Sequence, residues 1–127
     1  MADTPDYENG QPKPIQNNGP SMHDLLIEDI SQMLEQEGAS SETIVEVIGP
    51  IVARKYYGLA KYGTILQAGN GRDPMTDAVE EVVDLCVYMR QVVCENPGND
   101  ELLEAYELCM KTHAVIILAS RLKNVKK

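Results

Sequence analysis

The chain lacks the features of several protein classes. It has no apolar run long enough to span a membrane and none that resembles a signal peptide, so we expect no membrane partner. Its 11 Lys and Arg residues face 20 Asp and Glu residues, which gives a net charge of −9. Because phosphate binding by a surface needs basic residues, this balance argues against nucleic acid as a general partner. A single nucleotide stays compatible, since a metal ion can bridge a carboxylate and a phosphate.

Cysteines and large aromatic residues are scarce. The three Cys are an odd number without paired metal-binding spacing, which indicates reduced thiols and a cytoplasmic location. Their apolar helical contexts predict small core residues rather than ligands. The chain has no Trp and no Phe, so its six Tyr supply every aromatic ring.

Several catalytic patterns are missing as well. No Ser/His/Asp or Cys/His arrangement indicates a covalent nucleophile, and there is no Walker-type phosphate loop. His113 lies in an apolar helical segment and is expected to be a satisfied core residue. His23, beside Asp24, is expected to order a helix start. Neither histidine is assigned to catalysis.

The hydrophobic spacing predicts an all-α fold, with no segment that alternates like a strand. Four main helices are expected, and we expect them to form a bundle. They cover residues 22 to about 36, a segment that begins at Ser40 or Ser41, a segment from 74 to about 95, and a segment from about 101 to 123. Pro50 predicts a kink or a break near Gly49.

Residues 1–20 are rich in Pro, Asn, Gln and Gly and cannot bury much apolar surface. We expect a flexible tail, tied down at its end or across a subunit partner. Residues 21–127 are expected to form the all-α domain.

The most informative segment is DAVEEVVDLCVYMRQVV, residues 77–93, because it carries four acids on one helical stripe. These are Asp77, Glu80, Glu81 and Asp84. The rest of the segment is mostly apolar, and such a helix is normally buried. We therefore expect the acids to face a buried groove, where a hard cation such as Mg²⁺ offsets their repulsion. The alternative is a solvated charged face.

A glycine-rich connection, LAKYGTILQAGNGRDP at residues 59–74, leads into this acid-bearing helix. Asp73 is the expected N-cap, and a helix N-terminus favours anions. Arg72 can bind phosphate through two hydrogen bonds, and Lys61 can act as a point charge. The alternative is an ordinary surface loop. The glycine-rich connection supplies the candidate substrate-binding residues Lys61, Tyr62, Asn70 and Arg72, and the acid-bearing helix supplies Tyr88.

Three stretches resemble the phage-encoded MazG-like nucleoside triphosphate pyrophosphohydrolases. They are GPSMHDLLIEDI (19–30), GLAKYGTILQAGNGRD (58–73) and DAVEEVVDLCVYMRQ (77–91). The resemblance implies a MazG-like four-helix bundle that forms a homodimer or homotetramer. It also implies hydrolysis of (deoxy)nucleoside triphosphates to monophosphate and pyrophosphate with Mg²⁺ or Mn²⁺. The enzyme would shape a phage deoxynucleotide pool in the host cytoplasm, with dGTP or dATP as candidate substrates.

The resemblance also suggests roles for the acids. The family's ExxD pair falls on Glu81 and Asp84, with Glu80 before it, and Asp77 extends the metal site by one turn. Glu80 and Glu81 are the candidate catalytic residues, and Glu80 would take a proton from the attacking water. Tyr62 or Tyr88 would stack on the base or ribose.

The chain departs from the family at one point, because the usual ExxE pair on the preceding helix is missing. Glu46 is the candidate ligand in its place, and Glu28 and Asp29 are further options. This departure keeps two other hypotheses open. One is a non-catalytic helical module that binds nucleotide or a protein partner, and the other is a scaffold whose acids are solvated.

Overall fold

The computed structural model describes residues 10–125, with side chains described as far as Leu122, and consists of four helices. They are α1 (Met22–Gln36), α2 (Ser41–Tyr62), α3 (Pro74–Glu95) and α4 (Asp100–Val125). Within residues 10–125 there is no strand, which confirms the predicted all-α class. None of the helices in this range is both long and apolar enough to cross a bilayer.

The chain divides into two compact units, Met1–Arg72 and Asp73–Lys127. Each contains one helical hairpin, in which α1 packs against α2 and α3 packs against α4. In the first hairpin, Lys55 Nζ lies 2.9 Å and 3.0 Å from the two carboxylate oxygens of Asp24. This hydrogen bond raises the pKa of Lys55, so the contribution of the Lys55 ammonium is present at neutral pH and is lost as the pH rises through that raised pKa. An exposed ion pair of this kind contributes little to stability.

Side-chain caps fix where the helices begin. The Ser21 hydroxyl accepts a hydrogen bond from the Asp24 N–H at 3.2 Å, at the start of α1. The Ser40 hydroxyl accepts from the Thr43 N–H at 3.1 Å, at the start of α2. These bonds satisfy N–H groups that have no partner inside the helix. The predicted starts of both helices are confirmed.

Of the predicted kink or break near Gly49, the break is wrong, because α2 continues through Pro50 to Tyr62, and the kink stays a prediction. Proline removes only one backbone donor from the helix, and the turns on both sides keep their own hydrogen bonds. The helix ends instead at Gly63, whose φ of 75° is left-handed and whose N–H donates to the Leu59 carbonyl at 2.8 Å. Glycine adopts this conformation at little cost, so it ends the helix.

A segment that we call the strap, residues 10–20, pairs with the glycine-rich loop, residues 63–72. The Gln67 side chain joins them: its Oε1 accepts from the Asn17 N–H at 3.0 Å. Its Nε2 donates to the carbonyls of Asn17 at 2.8 Å and Gly19 at 2.6 Å. The Ile15 N–H also donates to the Asn70 carbonyl at 2.9 Å. Of the predicted tail, residues 1–9 lie outside the described residues.

The junction of strap and loop is polar and buried. Gln67 is 4% exposed and Asn70 is 6% exposed, and Ser21 at the start of α1 is buried as well. Further bonds run from Asn17 Nδ2 to the Ala68 carbonyl at 2.9 Å and from the Met22 N–H to the Leu66 carbonyl at 2.8 Å. Buried polar groups need such partners, so this network holds the loop in one conformation.

We expect Gln67→Ala to weaken this junction, because it removes three hydrogen bonds to a buried amide. The free energy of unfolding should fall by about 1–3 kcal/mol, measured by urea denaturation. The Ile15 and Asn17 amides should also lose protection from hydrogen exchange. Gln36→Ala, at an exposed position at the end of α1, is the matched control. Equal effects of the two substitutions would contradict the assigned role of Gln67.

Candidate functional site

The loop and α3 meet at a well-defined helix start. Asp73 caps α3: its carboxylate accepts from the Met75 N–H at 3.1 Å and from the Thr76 hydroxyl at 2.9 Å. Just before it, the Arg72 N–H donates to Asn70 Oδ1 at 3.1 Å. The Asn70 side chain thereby closes a local turn that precedes the cap. The predicted cap at Asp73 and the first-turn Pro74 are confirmed.

The four acids of α3 are more exposed than the sequence predicted. Glu80, Glu81 and Asp84 are exposed and Asp77 is partly buried. The expected buried groove is therefore not found around them in the described chain. Within its unit α3 packs only against α4, so one side is covered, as at Val82, while other apolar positions of the helix remain exposed.

The donor chemistry of the acids fits a hard divalent cation, but their number limits the kind of site. Among residues 10–125, no three His, Cys, Asp or Glu side chains form a group that could hold a metal ion. Glu81 and Asp84, one turn apart on α3, offer two carboxylates. Mg²⁺ is commonly bound by one or two carboxylates, with water and substrate phosphates completing its shell. The pair fits that kind of site rather than a cage made by protein alone.

The candidate substrate-binding residues of the first unit lie at the end of α2 and in the glycine-rich loop. Lys61 Nζ lies 5.1 Å from the centre of the Tyr62 ring, which is a cation–π contact. Arg72 Nη1 donates to the Pro12 carbonyl of the strap at 3.1 Å. Asn70 is held on two sides, since its carbonyl accepts from Ile15 and its side chain from Arg72. Its position thus shapes the loop.

The candidate residues divide between the two units. The first unit holds Glu46, Lys61, Tyr62, Asn70 and Arg72, and the second holds Asp77, Glu80, Glu81, Asp84 and Tyr88. In the first unit, Asn70 and Arg72 share one turn. Glu46 lies apart from Lys61, because fifteen helical residues span about 22 Å along α2. In the second unit, the acids follow one stripe of α3, and Tyr88 is exposed one turn beyond Asp84.

The histidines and cysteines differ in part from expectation. The buried Nδ1 atoms of His23 and His113 have no hydrogen-bond partner, so His113 is not the satisfied core residue that was predicted. Its apolar position on α4 supplies packing but no acceptor or donor. Cys86 donates from Sγ to the Cys109 carbonyl at 3.3 Å, and both are partly buried. Cys94 is exposed rather than part of a core.

Two features of the first unit were missed in the sequence. One is the Gln67 junction, for which no local pattern exists, because its partners lie about fifty residues away in the chain. The other is a set of cation–π contacts on α2, between Arg54 and Tyr57 and between Lys55 and Tyr56. The available signal for the second was that residues 47–72 contain no Asp or Glu.

No family model matches the chain, and no curated protein or solved structure matches it either. A proposal for the function therefore depends on the residues themselves and on the resemblance of their motifs to the MazG-like pyrophosphohydrolases.

We expect Asp73→Ala to destabilise the start of α3. It removes the acceptor for the Met75 N–H and the Thr76 hydroxyl, and loss of an N-cap lowers the free energy of unfolding by about 1 kcal/mol. Asp73→Ser keeps a capping oxygen and should recover most of the loss. Thermal and urea unfolding followed by circular dichroism measure both variants. Equal stability of the Ala and Ser variants would show that the cap does not hold this helix end.

Proposed function

We propose that the protein is a metal-dependent (deoxy)nucleoside triphosphate pyrophosphohydrolase, with dGTP or dATP as candidate substrates. The observation that carries the proposal is the exposed carboxylate stripe of α3, which directly follows the loop that ends in Arg72. A stripe open to solvent can be reached by a charged ligand. A nucleoside triphosphate supplies the phosphate oxygens that a two-carboxylate cation site needs.

Each residue has a separate role in the proposal. Glu81 and Asp84 hold Mg²⁺ or Mn²⁺, with Asp77 in support one turn earlier. When bound, the metal ion supplies positive charge for the phosphates and makes water more acidic. Glu80 accepts the proton of the attacking water. The water oxygen bonds to the α-phosphorus, the bond to the α–β bridging oxygen breaks, and pyrophosphate leaves.

Two basic side chains are proposed to balance the charge of the substrate. Lys61 and Arg72 stabilise the phosphate oxygens as negative charge builds up on the leaving pyrophosphate. Arg72 is suited to phosphate because its planar guanidinium can donate two parallel hydrogen bonds. Tyr62 or Tyr88 stacks on the base or ribose, and Glu46 is the candidate for an additional metal ligand.

We also propose that the protein works as a homo-oligomer, a homodimer or a homotetramer. The support comes from α4, whose residues 108–122 are apolar on two sides. One side packs against α3, and the opposite side carries four large apolar residues that are 57–67% exposed. These residues, here called the α4 stripe, are Leu108, Val115, Leu118 and Leu122. Their spacing of seven, three and four residues is that of a helix–helix contact. We therefore propose that a helix of a second copy of the chain packs against the α4 stripe.

A second candidate function is a non-catalytic helical module that binds nucleotide without hydrolysing it. It is favoured by the missing ExxE pair and by the lack of a three-ligand group within residues 10–125. Purified protein incubated with Mg²⁺ and each (d)NTP distinguishes the two candidates. Turnover to monophosphate and pyrophosphate supports the enzyme, whereas metal-dependent binding without turnover supports the module.

We expect Glu81→Gln to abolish pyrophosphate release, because it removes a charged metal ligand and leaves the side-chain shape nearly unchanged. A coupled pyrophosphate assay with dGTP and dATP measures the loss, which should exceed about a hundredfold, as is usual when such a group is lost. The matched control is Glu104→Gln, the same change at an exposed position of α4, which should keep the wild-type rate. Circular dichroism checks that both variants fold. A folded Glu81→Gln variant with the full rate would overturn the assigned site.

We expect Leu118→Glu to dissociate the oligomer, because it places a charge within the apolar α4 stripe. Sedimentation equilibrium at micromolar concentration should show the mass falling from the oligomer toward the monomer. Met110→Glu is the matched control, since Met110 is an exposed apolar residue on a different side of α4. A monomeric wild-type protein, or an unchanged mass of the Leu118→Glu variant, would contradict this proposal.

A further inference from the structure

The second half of α2 and the loop after it form the longest acid-free stretch among the described residues. Residues 47–72 contain no Asp or Glu, yet they hold four basic residues of a chain whose net charge is −9. These are Arg54, Lys55, Lys61 and Arg72. Lys55 is already paired with Asp24. The concentration of positive charge here is therefore local, and it favours a small anionic ligand.

Arg54, Tyr57 and Lys61 lie on one face of α2, because residues three and seven apart share a helix face. The Arg54 guanidinium lies 4.5 Å from the centre of the Tyr57 ring, so it covers one side of that ring. Tyr57 nevertheless remains 51% exposed. A ring held by a cation on one side and open on the other is ready to stack on a planar ligand.

Gly58 lies on the same face, between Arg54 and Lys61, and leaves it open. A Cβ added at Gly58 would meet no atom within 4 Å. Glycine is unfavourable inside a helix, and its backbone here is not in the left-handed region that would require it. Glycine at this position therefore does not stabilise the helix, but it leaves room beside Tyr57 and Arg54.

We propose that the face of α2 formed by Arg54, Tyr57, Gly58 and Lys61 binds nucleoside triphosphates. Tyr57 stacks on the base, in place of the candidates Tyr62 and Tyr88, while Arg54 and Lys61 contact the phosphates. Arginine can do this while stacked, because its ring contact uses the flat side of the guanidinium and its donors point outward along the edges. The choice of a nucleotide as ligand rests on the proposed function. The geometry of the face is independent of that proposed function.

The test measures binding without turnover, with the full-length protein in EDTA, by calorimetric titration with dGTP, dATP and inorganic tripolyphosphate. Arg54→Ala should weaken binding of all three ligands about tenfold. Tyr57→Ala should weaken binding of the nucleotides about tenfold but leave tripolyphosphate within about twofold, since base stacking on an aromatic ring contributes at least that factor. Tyr57→Phe should bind like the wild type.

Two further variants keep the test independent of folding. Gly58→Leu should raise helix propensity, and so preserve the fold, while it blocks the face and weakens nucleotide binding about tenfold. The matched control is Arg90→Ala, which removes a similar contact in the other unit, where Arg90 lies 6.0 Å from the centre of the Tyr106 ring. It should bind all three ligands like the wild type.

Several results would overturn the inference: no nucleotide binding by the wild-type protein, unchanged affinity in folded Arg54→Ala and Tyr57→Ala variants, or an equal loss with Arg90→Ala. Binding of a polyglutamate peptide through Arg54, with no binding of nucleotide, would instead assign the face to an acidic protein partner.

Failure of this inference can be distinguished from failure of the proposed enzymatic activity. Loss of affinity in these variants without any turnover by the wild type would support the face and reject the enzyme, and turnover with unchanged KM in the variants would do the reverse.

Discussion

The Gln67 amide connects two parts of the first unit that are far apart in the chain. It binds both the N–H and the carbonyl of Asn17 and also reaches the Gly19 carbonyl, so the strap cannot leave without exposing three polar partners. Because the strap also pairs with Asn70 and Arg72, the conformation of the loop before α3 depends on this one side chain. The position of Arg72, a candidate phosphate-binding residue, therefore depends on the strap that Gln67 holds in place.

Both hairpins share a second constraint, which is that a helix with a single packing partner cannot bury apolar residues on all sides. Val82 is the only buried apolar residue among those described, although many large apolar side chains occur in the four helices. The α4 stripe and the acids of α3 are exposed for the same reason, which is that each helix packs against only one other helix of its unit. Apolar surface of this extent is typical of an interaction surface, which is what the proposed oligomer requires.

The sequence alone was sufficient for features that depend on neighbouring residues. The caps at Ser21, Ser40 and Asp73 follow from local hydrogen bonding, and α1 and α3 end at Gln36 and Glu95, close to the predicted positions. Pro50 was misjudged because a local rule cannot show how much the adjacent turns stabilise a helix. The burial of the acids and the role of Gln67 depend on which segments meet in space. No pattern within a short stretch of sequence contains that information.

The acid-free stretch also separates charge along the first hairpin. Glu35, Glu37 and Glu42 lie near the turn between α1 and α2, whereas the cations lie toward the other end of α2, where Asp24 of α1 pairs with Lys55 and offsets part of their charge. The C-terminal end of a helix carries partial negative charge, so these cations also stabilise the end of α2. An approaching polyphosphate would be repelled at one end and attracted at the other, which orients it before contact. Dissolved salt screens such long-range guidance, so the rate of encounter would depend on ionic strength.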